Sequence, residues 1–172
     1  TFEEGKEPEL VELEGGNPRL ALLAVIVEDL PHQFIVFARF RRDIDLIMRK
    51  MQELKIEAVR YDGALDEDGR AASKKAFQEG RAQAFVANPA VASEGLTLVG
   101  AKTVVYYNNS FKLTERLQSE DRAHRIGQTD PVSYIDLACP ETVDIAVTDA
   151  LRNKFDVASQ ITGDRLTEWL HE

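Results

Sequence analysis

The residues best suited to chemistry stand in one short run, QSEDRAHRIGQTDPV, which begins at Gln118. On a helix, Gln118, Arg122 and Arg125 occupy positions i, i+4 and i+7, so they form one stripe. An arginine guanidinium keeps its charge and presents a planar fork of donors that fits phosphate oxygens. The stripe therefore predicts stabilisation of a phosphoryl group during its transfer. The spacing also leaves open a structural role, in which Arg122 forms an ion pair with Glu120 or Asp121.

The elements that must position this run follow from the apolar pattern. Five segments rich in Val, Ile, Phe and Tyr lack strict polar alternation and are predicted as strands buried on both faces: 34–38, 56–61, 82–87, 103–108 and 132–138. The predicted helices among them are RRDIDLIMRKMQEL, DEDGRAASKKAFQEG, LTERLQSEDRAHR and TVDIAVTDALRNKF. Strands that alternate with helices indicate an α/β fold with a parallel sheet of about five strands. Ligands bind such sheets at the carboxyl ends of the strands, so the residues that follow each strand, Asn88 and Asn108 among them, matter most.

A further helix is predicted before the first strand. Asn17 suits an N-cap, Pro18 suits the first helical position, and apolar residues recur at helical spacing until Pro31. The alternative is that AVIVED forms a buried strand that ends in acids, as in a strand that holds a metal ion.

Composition bounds the class of protein. A length of 172 residues suits one domain, and no apolar run approaches the ~18 residues that would cross a bilayer. Because the chain begins at Thr1 rather than Met, we expect it to be a segment of a longer protein. Cys139 is the single cysteine, which excludes an internal disulfide and predicts a reducing compartment without a structural metal.

Charge is unevenly distributed along the chain. The net charge is -9, yet residues 1–16 hold six Glu against one Lys, so five of these negative charges lie in that segment. From Arg39 to Arg60, seven basic residues stand against four acidic ones. This local excess suits contact with phosphates, but it also fits an ordinary solvated helix face.

The motifs together resemble a known family. QSEDRAHRIGQTDPV resembles helicase motif six in the form typical of Swi/Snf-type ATPases of superfamily two, and FIVFARF resembles motif four. YDGALDEDGR resembles the strand-turn-helix that follows, and ANPAVASEGLTLVGAKTVVYYNNS resembles motif five. The resemblance implies an acidic inter-lobe linker or tail at 1–16, a RecA-like C-terminal lobe at 17–158 and a C-terminal extension at 159–172.

The resemblance also implies roles for particular residues. Arg122 and Arg125 would act on the γ-phosphate of ATP, and Gln118 and Gly95 would join them in binding ATP. DNA-backbone contacts are expected from the residues of motif four, the following turn and motif five: Arg39, Arg41, Gly63, Ser93 and Thr97.

Motif five departs from the common pattern. Family members often have Gly-Gly-Leu-Gly-Ile-Asn-Leu where this chain has ASEGLTL, so Gly95 and the flanking apolar positions carry the match. This variant resembles bacterial and phage-borne members more than eukaryotic remodellers.

The resemblance implies half of an ATPase. The sequence has no Gly-x-x-x-x-Gly-Lys-Ser/Thr loop, so ATP and Mg²⁺ would be held mainly by a preceding RecA-like lobe of the same polypeptide. The other expected partner is double-stranded DNA, without a membrane. We expect a cytoplasmic location in a bacterial or phage-infected cell, or a nuclear one in a eukaryote.

Three other classes of protein share features with this chain. A two-component receiver needs acids where Arg39 and Asn88 stand, and a dinucleotide-binding domain needs a G-x-G-x-x-G turn that is missing. A catalytically silent RecA-like module that binds DNA or protein remains an open alternative.

Overall fold

In the part of the chain that the structure describes, helices flank a sheet of five parallel strands. The computed structural model describes residues 16–91, 98, 100–123 and 131–162, with side chains through 120 and from 131 to 154. The strands are β1 (Phe34–Phe37), β2 (Ala58–Tyr61), β3 (Ala84–Ala87), β4 (Thr103–Tyr106) and β5 (Ser133–Asp136). The helices are α1 (Pro18–Glu28), α2 (Arg41–Glu53), α3 (Glu67–Gln78), α4 (Leu113–Ala123) and α5 (Val143–Thr162). The predicted α/β class and the parallel sheet are confirmed.

The sheet order β2-β3-β1-β4-β5 places β1 at the centre. Phe37 of β1 stands in register with Ala87 of β3 on one side and with Tyr106 of β4 on the other. Every residue of these three strands is buried. Burial on both faces explains why their sequences are continuous apolar runs.

Alternating side chains of the strands build two cores, one on each face of the sheet. On one face, Phe34 and Val36 pack with Leu23 of α1 and Ile44 of α2. On the other face, Ile35, Phe37 and Phe85 pack with Phe77 of α3. The helices therefore cover both faces, as expected for parallel strands joined by crossovers.

The first helix is confirmed, and the alternative strand AVIVED is wrong. The Asn17 side chain accepts a hydrogen bond from the Leu20 backbone N–H at 3.0 Å, and Pro18 occupies the first turn. Glu28 is the last residue of α1, and Asp29 is its C-cap. These acids therefore end a helix, so they are not a metal-holding strand end.

One finding concerns the end of helix α5, and a second concerns membrane-spanning helices. Helix α5 runs to Thr162, beyond the predicted end of its lobe at residue 158, and the division at 16, 158 and 159 stays a prediction. Within the described part of the chain, no helix is long and apolar enough to span a membrane.

Candidate functional site at the carboxyl edge of the sheet

Three of the predicted DNA-contact residues lie at one edge of the sheet. Arg39 follows β1 and Arg41 begins α2, while Gly63 follows β2, and all three are exposed. β1 and β2 both pair with β3, so the chain positions of Arg39 and Gly63 are about two strand spacings, ~10 Å, apart. The structure thus brings these three residues together on the carboxyl edge.

Two asparagine amides fix the backbone of this edge. The Arg39 backbone N–H donates to Asn108 Oδ1 at 2.7 Å, and Asn88 Nδ2 donates to the Arg39 carbonyl oxygen at 2.8 Å. Asn108 Nδ2 also donates to Asp43 Oδ2 at 2.6 Å, which ties the start of α2 to the end of β4. The backbone N–H and the carbonyl oxygen of Arg39 are therefore both hydrogen-bonded within the fold. Arg39 is nevertheless exposed, so its side chain can contact solvent or a ligand.

Burial makes the carboxyl group of Asp43 harder to ionise in this arrangement. Burial raises the pKa of Asp43 above its ordinary value, and the hydrogen bond from Asn108 opposes this shift only in part. Asn108 accordingly has a structural role at the strand end, which its position after β4 alone does not reveal.

Gly63 is not required by packing. A Cβ added at Gly63 would meet no atom within 4 Å. The neighbouring Asp62 is buried, and its carboxylate has partners that compensate for this burial. Its Oδ1 accepts from the Ala64 N–H at 3.0 Å, and its carboxylate pairs with Arg60. The space beside Gly63 is therefore open, as it would be at a position that the backbone of a ligand approaches.

The basic run from Arg39 to Arg60 divides into two groups. Arg60 also pairs with Asp45 at 2.9 Å, and Lys50 pairs with Glu53, so these cations serve the fold. Arg39 and Arg41 instead lie exposed at the carboxyl edge. Two of the seven cations of the run are therefore paired within the fold, and two others are exposed at the carboxyl edge.

Helix α4 carries the described part of the predicted ATP-binding stripe. Gln118 is exposed, and position 122 lies one turn later within the same helix. The side chain of Arg122 and the residues Ser93, Gly95, Thr97 and Arg125 lie outside the described part of the structure. Their roles stay predictions.

The opposite face of α4 is fixed by Arg116, a residue that sequence reasoning missed. Its guanidinium carbon lies 3.5 Å from the centroid of the Tyr106 ring. Its fork contacts the carboxylate of Asp136, including Nη2 to Oδ2 at 3.3 Å, and donates to Asn109 Oδ1 at 3.0 Å. Nε donates to Glu120, and only 10% of the Arg116 side chain is exposed.

In this cluster, burial and charge pairing shift the pKa values of the charged groups in opposite directions. Burial alone would lower the pKa of Arg116, but contacts with Tyr106, Asp136 and Glu120 outweigh it and raise that pKa. Burial likewise raises the pKa of Glu120, and the attraction of Arg116 offsets this only in part. Glu120, which the sequence offered as a partner of Arg122, is therefore bound by Arg116.

The nearby polar groups complete the same cluster. The hydroxyls of Tyr106 and Ser119 share a buried hydrogen bond of 2.6 Å, and Ser119 donates to the Arg116 carbonyl oxygen at 2.7 Å. One signal in the sequence points to this arrangement, because Glu120 stands four residues after Arg116 on a predicted helix. No sequence spacing indicates Asp136, which comes from β5.

The donors at this edge suit anions better than cations. Arg39 and Arg41 are exposed at this edge, whereas the described residues contain no group of three or more His, Cys, Asp or Glu able to hold a metal ion. Guanidinium and amide N–H groups bind phosphate oxygens. The edge therefore has the chemistry of a phosphate-binding surface on a parallel α/β lobe.

Comparison with known proteins gives the class of this lobe. Residues 19–127 match the family described as the helicase conserved C-terminal domain, which is more than half of the chain. The chain belongs to this helicase C-terminal domain family. The expected RecA-like helicase lobe is thereby confirmed.

Particular relatives point to the Swi/Snf type. The SWI/SNF-related matrix-associated actin-dependent regulator of chromatin subfamily A-like protein 1 of Drosophila melanogaster is 32% identical over 142 residues, which are 82% of this chain and 19% of that protein. The ATP-dependent helicase FUN30 of Saccharomyces cerevisiae is 25% identical over 148 residues, which are 86% of this chain and 13% of that protein. The chain thus spans about a fifth or less of the length of these curated relatives.

A solved structure supports the fold. The crystal structure of the C-terminal part of the Fun30 ATPase domain matches with a TM-score of 0.72 and 22% identity, covering 77% of this chain and 44% of that one. The relatives named above are animal and fungal proteins, so they give no support to the expected likeness to bacterial and phage-borne members.

Proposed function

We propose that this chain is the second motor lobe of an ATP-dependent DNA translocase or helicase-like enzyme. The observation that carries the proposal is the carboxyl edge itself. This edge exposes Arg39 and Arg41, and helix α4, which follows β4, exposes Gln118 one turn before position 122. A nucleotide and a phosphate backbone could therefore be contacted by one rigid lobe.

Arg122 and Arg125 would act at the γ-phosphate of ATP. ATP bound with Mg²⁺ between two lobes supplies the phosphoryl group, and most of its contacts would come from the preceding lobe of the same polypeptide. Gln118 and Gly95 would orient the nucleotide from this side. The arginines would neutralise charge that develops on the phosphoryl oxygens, a contribution that is large because the donors are positioned beforehand.

Double-stranded DNA would lie across the other part of the edge. Arg39 and Arg41 would contact phosphates, and Gly63 would let the DNA backbone approach closely. Ser93 and Thr97 would add hydroxyl donors. Such contacts position a duplex but read little of its sequence, and we propose a nuclear location for this protein.

The proposal predicts that ATP turnover needs both lobes. The sequence of this chain lacks a phosphate loop, so the chain alone should show no DNA-stimulated ATP hydrolysis above background. The same chain joined to its preceding lobe should hydrolyse ATP and respond to DNA. A coupled phosphate-release assay on both proteins tests this.

Two results would count against the proposal. Turnover by the chain alone would contradict the half-site, and an inactive two-lobe protein that still binds DNA would favour the catalytically silent module.

A further inference from the structure

We propose that Arg116 is a positioning residue that holds α4 at the height and rotation at which Arg122 reaches the nucleotide. This inference rests on the proposed function and deepens it. Arg116 itself would touch neither ATP nor DNA, because its side chain is buried against the sheet.

The first step is that Arg116 joins α4 to two strand ends at once. The Tyr106 ring at the end of β4 and Asp136 at the end of β5 both contact its guanidinium. Asn109, in the loop after β4, accepts a third contact at 3.0 Å. A planar fork held on several sides fixes direction as well as distance.

The second step is that apolar packing on α4 is weak. Its leucines Leu113 and Leu117 are only half-buried, whereas Ser119 on the inward face is 1% exposed. Hydrophobic contacts are non-directional, so they leave a helix free to slide or rotate by small amounts. The polar anchor around Arg116 is therefore what sets the rotation of α4.

The third step links the two faces of the helix. Residues advance by about 100° each along an α-helix, so Arg116, Ser119 and Glu120 share one face while positions 118 and 122 share another. The exposure of Gln118 agrees with this division. Since an α-helix moves as a rigid rod over two turns, fixing the inward face fixes position 122.

The experiment is steady-state ATP hydrolysis by the two-lobe enzyme with Arg116→Met. A misplacement of about 1 Å can cost ~10²-fold in rate, so we expect kcat to fall ~10²-fold while KM for ATP stays near the parent value. Arg116→Lys keeps the charge but loses the fork, so its kcat should also fall. Arg81→Met is the matched control, because Arg81 forms an exposed ion pair with Glu79 on the surface, and it should leave kcat unchanged.

A double-mutant cycle separates positioning from general stabilisation. If Arg116 acts through Arg122, adding Arg116→Met to Arg122→Ala should cause no further loss of kcat. Losses that multiply would overturn the positioning role, as would normal kcat in Arg116→Met. Arg116→Lys takes the place of Arg116→Met in the cycle if the methionine variant does not fold.

The failure of the proposed function looks different. Normal turnover in Arg122→Ala alone would remove the arginine from the nucleotide site, and both proposals would fall. Strong loss in Arg122→Ala with normal turnover in Arg116→Met would leave the motor lobe in place and reject only the positioning residue.

Discussion

The backbone groups of Arg39, which follows β1, are held by side chains and not by a ladder of strand hydrogen bonds. Asn108 accepts from the Arg39 N–H and Asn88 donates to the Arg39 carbonyl oxygen. A loop held this way presents its guanidinium from a fixed base, so less conformational freedom is lost when a phosphate binds. The guanidinium also lies 5.6 Å from the Phe40 ring centroid.

The DNA contacts at this scale can be tested by salt dependence. Arg39→Ala with Arg41→Ala should weaken duplex binding by the two-lobe protein and reduce the slope of log K against log salt by about 2, since each lost phosphate contact removes about one released cation. Fluorescence anisotropy over a salt series measures the slope.

Arg49 supplies the control for this measurement. It lies on α2 eight residues after Arg41, about 12 Å along the helix axis and away from the carboxyl edge. Arg49→Ala should leave the slope unchanged. A fall in slope of about 1 for Arg49→Ala, half that of the double variant, would mean that a cation counts wherever it stands and that the edge is not the DNA site.

At the residue scale, the sequence predicts the location of a side chain where that residue directly follows a strand. Arg39, Arg41 and Gly63 were expected at one edge, and the structure places them there. Arg116 and Asp136 were missed because they stand twenty residues apart and meet only through the pairing of β4 with β5. A buried ion pair between separate elements leaves no periodic trace in the sequence.

Helix ends show the same contrast between local and tertiary causes. Asn17 caps α1 as the sequence predicts, at 3.0 Å, and Asp66 caps α3 at 2.8 Å through a contact three residues along the chain. Gly80 follows α3 with a φ of 71°, a conformation that glycine adopts at no steric cost. By contrast Phe40, at the start of α2, offers no side-chain cap and is exposed, so the start of α2 follows from tertiary structure.

The two capped helices give a prediction about stability. Asp66→Ala should cost about 1 kcal/mol, the usual value of an N-cap. Asn17→Ala should cost about 2 kcal/mol, because Asn17 Nδ2 also donates to the Tyr107 hydroxyl at 2.9 Å. Urea unfolding of the two variants measures the difference.

The comparison has a clear opposite outcome. Equal losses for Asn17→Ala and Asp66→Ala would show that the hydrogen bond to Tyr107 adds nothing to stability. The predicted strands are longer than the observed ones, because pairing in the sheet, not apolar character, begins β2 at Ala58 and ends β5 at Asp136.

At the scale of the whole molecule, the described residues form one lobe, and charge is spread unevenly along the sequence. Five of its nine net negative charges lie in residues 1–16, so the net charge of -9 understates how well the edge can meet phosphate. The fold class followed from the alternation of strands and helices. The proposed activity could not follow from this chain alone, because a site shared between two lobes would leave half of its residues in the other one.

Closure of two lobes is the movement by which such a site would work. Binding of ATP would draw the lobes together and complete the catalytic arrangement, and product release would let them open. This chain would contribute a rigid sheet, an anchored α4 and an edge that contacts the duplex. Movement along DNA would then follow from alternation between the closed and open states.

The measurement that tests this account most directly is ATP turnover by the two-lobe enzyme with Arg125→Ala. An arginine that stabilises a phosphoryl transition state contributes ~10³ to 10⁵ in rate, whereas a surface ion pair contributes ~0 to 1 kcal/mol of stability. We therefore predict a loss of turnover by orders of magnitude, with the melting temperature and DNA affinity close to those of the parent. Normal turnover with a lowered melting temperature would make Arg125 a structural residue and would contradict the assignment of this motif to the nucleotide site.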